Sequence, residues 1–263
     1  MVATGKILAR KEGRVGTLVF NNPERHNAVS LDMWEAASHV LDDFARDADV
    51  RVLVVTGAGG KAFVSGADIS KFEDERASQA AVERYNSISQ GFYTGLYNFP
   101  KPSIARIQGY CIGGGLNLAI SCDLRFCTEG SRFGLPAAKL GLGYGYAGLK
   151  RFFDTIGPAN TKDIFFSARQ FGAAEALAMG VVNKVLPDSE FATFVAAYAN
   201  TVAENAPLTV NAIKQIALEA LKPESERNLA LAADLVARCF ASRDYIEGRN
   251  AFMQKRKPEF TGK

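Results

Sequence analysis

Gln108-Gly109-Tyr110-Cys111-Ile112-Gly113-Gly114-Gly115-Leu116-Asn117-Leu118-Ala119 is the stretch on which the reading of this chain turns. Three successive glycines stand between a short apolar run, Ser103 to Ile107, and a Leu/Ala run of helical character. Glycine lacks a Cβ, so a bound atom can approach the backbone closely and unusual φ/ψ angles cost little. If the glycines open a helix, their N–H groups are among its first orphan donors and lie at the positive end of its dipole. Such a start can bind an anion, or an oxygen that becomes anionic during a reaction. The other reading is a tight turn that serves packing alone, and the pattern by itself does not separate the two.

Working outward, the same arrangement recurs. Val50 to Thr56 reads as a strand buried on both faces and runs into Gly57-Ala58-Gly59-Gly60-Lys61-Ala62-Phe63-Val64-Ser65-Gly66-Ala67-Asp68. No Gly-Lys-Ser/Thr triplet makes this a phosphate loop, and Ala62 stands where a dinucleotide fingerprint needs its third glycine. Gly143-x-Gly145-x-x-Gly148 matches the fingerprint in letters but follows no strand. Upstream, Val15 to Phe20 is β-rich and ends at the Asn21-Asn22-Pro23 turn; Ser30 reads as the N-cap of a helix with Leu31, Trp34, Leu41 and Phe44 on one face. Ala77 to Leu96 is predicted helical, Asp123 to Cys127 and Val181 to Val185 extended, and Lys150 onward mainly helical. Strands alternate with helices, and each glycine-rich loop follows a strand. That is an α/β layout with a mainly parallel sheet, whose ligands sit at the C-terminal ends of strands.

Bulk properties narrow the function. With 263 residues, 48% of them hydrophobic and 22% charged, the chain is long and apolar enough to bury a substantial core. A net charge of +3 is too mild to point to nucleic acid, and the one basic cluster, Lys255-Arg256-Lys257, is short. Cys111, Cys122, Cys127 and Cys239 form no CxxC pair, and His26 and His39 add no metal spacing, so no metal site is expected. No apolar stretch approaches a membrane span and the N-terminus lacks a signal-peptide run, so the expectation is a reduced, cytoplasmic protein without membrane contact.

Two loops and several spaced motifs together resemble the crotonase superfamily, also called the enoyl-CoA hydratase/isomerase family. The matching residues are Asn22-Pro23, Asn27-Ala28, Ala62-Phe63-x-x-Gly66-Ala67-Asp68-Ile69, Gln108-Gly109-x-x-x-Gly113-Gly114-Gly115-x-x-Leu118 and Cys122-Asp123. The match continues through Phe133-Gly134-x-Pro136, Leu140-Gly141, Ala173-x-x-Ala176-x-x-x-Gly180-x-Val182-Asn183, Glu247-Gly248-x-x-Ala251-Phe252 and Lys255-Arg256. The resemblance implies a crotonase-like spiral of ββα units, expected over residues 1–200. A C-terminal helical region, expected over residues 201–263, would then build trimers or dimers of trimers. It implies an acyl-CoA thioester as substrate, with coenzyme A entering as part of that substrate and no separate cofactor. The backbone N–H groups of Ala67 and Gly114 would form an oxyanion hole for the thioester oxygen. Arg25, Ala28, Ser65 and Ile69 would line the CoA arm, and Lys255, supplied by a neighbouring subunit, would meet a phosphate.

The chain also departs from the family pattern. The family's hydratases use two glutamates to activate water and protonate the α-carbon; this chain has Asn117 and Ala137 there. An amide does not titrate near neutral pH and alanine has no polar group, so neither exchanges a proton. This speaks against ordinary hydration. The carboxylate that some isomerases place eight residues further on is replaced by Gly145. Leu140-Gly141-x-x-Tyr144-x-x-x-Gly148 resembles a segment of methylmalonyl-CoA decarboxylase, which would give Tyr144 a role in orienting a carboxylate or protonating the α-carbon. That enzyme, however, carries a histidine where this chain has Ala67. The readings that stay open are an enzyme (an atypical hydratase/isomerase, a decarboxylase using Tyr144, or a thioester hydrolase), an acyl-CoA-binding protein without catalysis, and a scaffold that keeps the fold only for oligomerisation.

Overall fold

The computed structural model describes residues 5–71 and 77–263, except for the side chain of Ile69. Its strands are β1 Ile7–Glu12, β2 Val15–Phe20, β3 Val52–Gly57, β4 Ala62–Val64, β5 Ser103–Ile107, β6 Tyr110–Ile112, β7 Leu124–Thr128, β8 Arg132–Gly134, β9 Gln170–Gly172 and β10 Lys184–Leu186. The helices are α1 Leu31–Arg46, α2 Gln79–Tyr97, α3 Gly114–Ile120, α4 Tyr146–Ser167, α5 Ala173–Ala178, α6 Asp188–Glu204, α7 Pro207–Ala220, α8 Leu229–Ala241 and α9 Arg243–Met253.

Successive strand pairs divide themselves between two sheets. β3, β5 and β7 enter a six-stranded sheet of order β1-β2-β3-β5-β7-β10, while β4, β6 and β8 enter a four-stranded sheet of order β4-β6-β8-β9. Among the described residues, only the β1–β2 and β8–β9 pairs are antiparallel. Each turn of the chain thus lays one strand in each sheet and returns through a helix, which is the expected spiral of ββα units.

The alternation within β3 explains its unbroken apolar run. Val52 and Val54 face α6 with Ile104, Phe126, Phe191 and Val195, whereas Leu53 and Val55 face the main core with Ala105, Ile107 and Cys127. Trp34 is 1% exposed and closes the α1–α2 side of that core. Its ring meets Phe20, Phe92 and Tyr93 at 5.0–5.8 Å, and its Nε1 donates to the Tyr85 hydroxyl at 3.2 Å.

Several expected boundaries move for local reasons. The side chain of Ser30 makes no cap bond and instead pairs with Asp32. α2 starts at Gln79 because Ser78 accepts from the Ala81 N–H at 3.2 Å. Val181 and Val182 direct their N–H groups to the Ala176 carbonyl, so the last strand begins only at Lys184. The expected division after residue 200 falls inside α6. That helix packs on the sheet through Phe191, Val195, Ala199 and Ala203.

Candidate active site

Two backbone turns meet at the C-terminal ends of β4 and β6. In the first, Val29 and Ala67 form an isolated parallel bridge: the Val29 N–H donates to Gly66 O at 2.9 Å, and the Asp68 N–H to Val29 O at 3.0 Å. Alternation along this strand-like segment turns the Ala67 N–H to the opposite side from Val29. In the second, Gly113 adopts φ 56° and donates to Gly134 O at 2.8 Å, while its own carbonyl accepts from Leu116 and Asn117. Neither the Ala67 nor the Gly114 N–H has an acceptor among the described residues.

Close approach of the turns requires their glycines. A Cβ on Gly66 would lie 3.4 Å from Ile112 O and 3.7 Å from Gly114 N, so the two unused amides are near neighbours. A Cβ on Gly115 would stand 1.9 Å from Val64 O. The glycine triplet therefore serves packing and opens a helix at once. α3 has only seven residues, so the exposed amides themselves, rather than a long helix dipole, give the turn its polarity.

Asn27 locks the first turn in place. It is fully buried in a left-handed conformation; its amide donates to Ala58 O at 2.9 Å and Ala62 O at 2.7 Å, and its Oδ1 accepts from the Asn22 N–H. This brings together most residues expected along the CoA arm. The Arg25 carbonyl accepts from the Ala28 N–H at 2.9 Å and the Ser65 hydroxyl at 3.4 Å, with the Arg25 side chain exposed and Ala28 buried. Ile69 begins a short 3-10 turn after Asp68, but its side chain lies outside the described residues. Lys255 is not brought to this cluster. The tail beyond it ends at the other end of the sheet, where Arg14 and Arg51, at the starts of β2 and β3, both donate to Phe260 O.

Behind the turns lies a buried polar group of side chains. The Tyr93 hydroxyl donates to Gly114 O at 3.1 Å, at the N-terminus of the helix that carries Asn117. Burial pushes the Tyr93 phenol well above its usual value, with a smaller contribution from Tyr144. Asn117 is 2% exposed and its Oδ1 has no partner. Ala137 sits half-buried against the core, so no acid or base stands at either hydratase position. The Tyr144 ring packs edge-on against Phe165 at 4.8 Å, while its buried hydroxyl is left without a partner. Burial raises the Tyr144 phenol too, so it stays protonated at neutral pH. Tyr146, by contrast, is 80% exposed.

Arg151 completes the group and was not legible as a site residue. It is one basic residue among many, and only the fold shows that it is 5% exposed with Nε and Nη2 unpaired. Tyr93, next to Phe92 on an apolar helix face, carries no distinguishing sequence signal either. Among the described residues no cluster of three or more potential metal ligands occurs, and no helix is long and apolar enough to cross a membrane.

This arrangement matches known proteins over nearly the whole chain. The family described as enoyl-CoA hydratase/isomerase matches residues 10–263. A crotonyl-CoA hydratase of Syntrophomonas wolfei is 33% identical over 100% of both chains. A short-chain-enoyl-CoA hydratase of Clostridium acetobutylicum is 32% identical over 96% of each. The crystal structure of an enoyl-CoA hydratase/carnithine racemase from Magnetospirillum magneticum superposes with a TM-score of 0.93 at 34% identity, covering 99% of this chain and 97% of that one. None of these three carries the name of a decarboxylase. With paired sheets, spiral connectivity and both glycine turns in place, the chain belongs to the enoyl-CoA hydratase/isomerase family of the crotonase superfamily.

Proposed function

We propose that this protein is an acyl-CoA lyase or isomerase that stabilises a thioester enolate between the Ala67 and Gly114 N–H groups and does not perform efficient two-glutamate hydration. The observation that carries this reading is the pair of neighbouring amides without acceptors, set beside Asn117 and Ala137. Donors fixed in place before the reaction stabilise the developing oxyanion, and one such donor contributes about 3 kcal/mol to lowering the barrier. The relatives' names favour hydration; the missing acid and base argue against it, because each positioned proton-transfer group contributes about 10²–10⁴-fold. Arg25, Ala28, Ser65 and Ile69 would follow the CoA arm, and Lys255 would act on a phosphate only from another copy of the chain.

Turnover of enoyl-, malonyl- and hydroxyacyl-CoA thioesters by the purified protein tests this. The expected outcome is binding of CoA thioesters and turnover of at least one class. Crotonyl-CoA hydration should accelerate at least about tenfold when Asn117→Glu and Ala137→Glu are combined, a conservative share of the usual contribution. Fast hydration by the unaltered protein, insensitive to Asn117→Ala, would contradict it. A second reading, decarboxylation, is favoured by the protonated, unpartnered Tyr144 hydroxyl; it requires CO2 release that falls in Tyr144→Phe at constant affinity. Tight binding without any turnover would instead assign a binding protein.

The helical end of the chain supports self-association. Leu229, Phe240, Tyr245, Ile246, Phe252 and Met253 are all at least 47% exposed, an apolar surface larger than scattered single residues would make. A trimer, or a pair of trimers, is the assembly expected in light scattering; a monomer at micromolar concentration would exclude it.

A further inference from the structure

Arg151 differs from Arg125, the other arginine buried among the described residues. Arg125 is equally buried at 5% exposure, but its Nε donates to Val181 O at 2.8 Å and its Nη1 to Cys122 O at 2.6 Å. Arg151 Nε and Nη2 have no acceptor among the described residues. A guanidinium does not lose its proton in a protein, and an unpaired buried charge is strongly unfavourable. The groups around it are phenols: the Tyr97 ring centroid lies 5.8 Å from the guanidinium carbon, the Tyr144 ring packs on the adjacent Phe152 at 6.4 Å, and the Tyr93 hydroxyl bonds Gly114 O. The acid one turn along α4, Asp154, is already held by Lys150 at 2.7 Å.

The geometry of the two unpaired donors is specific. Nε–H and the neighbouring Nη2–H point in parallel along one edge of the guanidinium, the fork that takes both oxygens of a carboxylate. The unpartnered Tyr144 hydroxyl supplies a further donor, since burial keeps it protonated. The fourth orphan, Asn117 Oδ1, is an acceptor and suits a hydroxyl or water rather than the carboxylate. Tyr93 links Arg151 to the oxyanion turn, since it is one of the phenols around the guanidinium and bonds Gly114 O.

We propose that Arg151 and Tyr144 form a receptor for a carboxylate carried by the acyl group, so that the preferred substrates are CoA thioesters of carboxylated acyl chains. The proposal rests on the acyl-CoA reading above and names its substrate class. A carboxylate held by a fixed guanidinium is stabilised as an anion, so its role is to anchor the acyl chain and it is retained through the reaction.

Calorimetric titration with succinyl- and glutaryl-CoA, each against butyryl- or pentanoyl-CoA of matching length, tests this. At least one carboxylated thioester should bind about 10–100-fold more tightly than its neutral partner, the range of a hydrogen-bonded charge pair. In Arg151→Gln the two affinities should converge. Because Arg151→Met removes a buried charge with two unpaired donors, its melting temperature should equal or exceed that of the unaltered protein. Equal binding of charged and neutral thioesters, a preference that survives Arg151→Gln, or a melting temperature lowered by Arg151→Met would each overturn the proposal. Binding of no CoA thioester would overturn the acyl-CoA reading itself.

Discussion

At the residue scale, the site depends on atoms that are missing as much as on those present. A Cβ on Gly115 would meet Val64 O at 1.9 Å, and backbone cannot swing aside as a flexible side chain can. Gly115→Ala is therefore expected to destabilise the protein by about 3 kcal/mol, the upper end of overpacking. Urea unfolding measures this, and a loss below about 1 kcal/mol would show that the turns are looser than described. The importance of Gly113 to Gly115 was legible in the sequence because consecutive glycines before an apolar run have few other uses. Arg151 was not, because a buried charge and a surface charge are written with the same letter, and Tyr93 was not, because beside Phe92 it reads as one more apolar-face aromatic. Tyr144 lay between: the Leu140-Gly141-x-x-Tyr144 segment pointed to it, whereas its packed ring and unpaired hydroxyl could be seen only in the fold.

At the element scale, strands buried on both faces were readable directly, since Val52 to Val55 are apolar at every position. Short elements were less readable, because β4, β6, β8 and β9 have three residues each and are defined by pairing with distant segments. α7 is attached to the sheet through Lys214, which donates to Asp123 Oδ2 at 2.8 Å and Lys101 O at 2.9 Å. Lys214→Met should cost about 2 kcal/mol, as expected for hydrogen bonds to a charged group that is not fully exposed; an unchanged denaturation midpoint would refute the attachment. The tail is pinned to α9, with the Thr261 and Gly262 N–H groups donating to Asp244 and the Arg256 guanidinium to Glu247. Arg256, aided by the Glu259 N–H, lowers Glu247 from about 4.5 to about 2. A carboxyl lowered on folding stabilises the protein above its unfolded value and loses that contribution as pH falls through the folded one. Melting should therefore separate the protein from its Glu247→Gln variant above about pH 4.5, with the gap closing toward pH 2. A gap that stays constant would detach Glu247 from acid stability.

At the scale of the whole molecule, each turn of the spiral delivers a loop to the same edge, which is how Ala67 and Gly114 become neighbours while 47 residues apart in sequence. The family and its layout could be read from spaced motifs, because close backbone approach restricts residue choice at each of them. The reaction could not, because proton-transfer groups sit on side chains free to vary around a preserved backbone. Asn117 and Ala137 are where that separation shows. On the proposed reading, the two unpaired amides act on a thioester oxygen whether or not water is added. Isotope-edited infrared difference spectra of a bound acyl-CoA, labelled at its thioester carbonyl, test this most directly. Two converging hydrogen bonds should polarise the carbonyl and move its stretch to lower wavenumber than in free ligand. A bound thioester whose carbonyl stretch stays at its solution position would contradict the account.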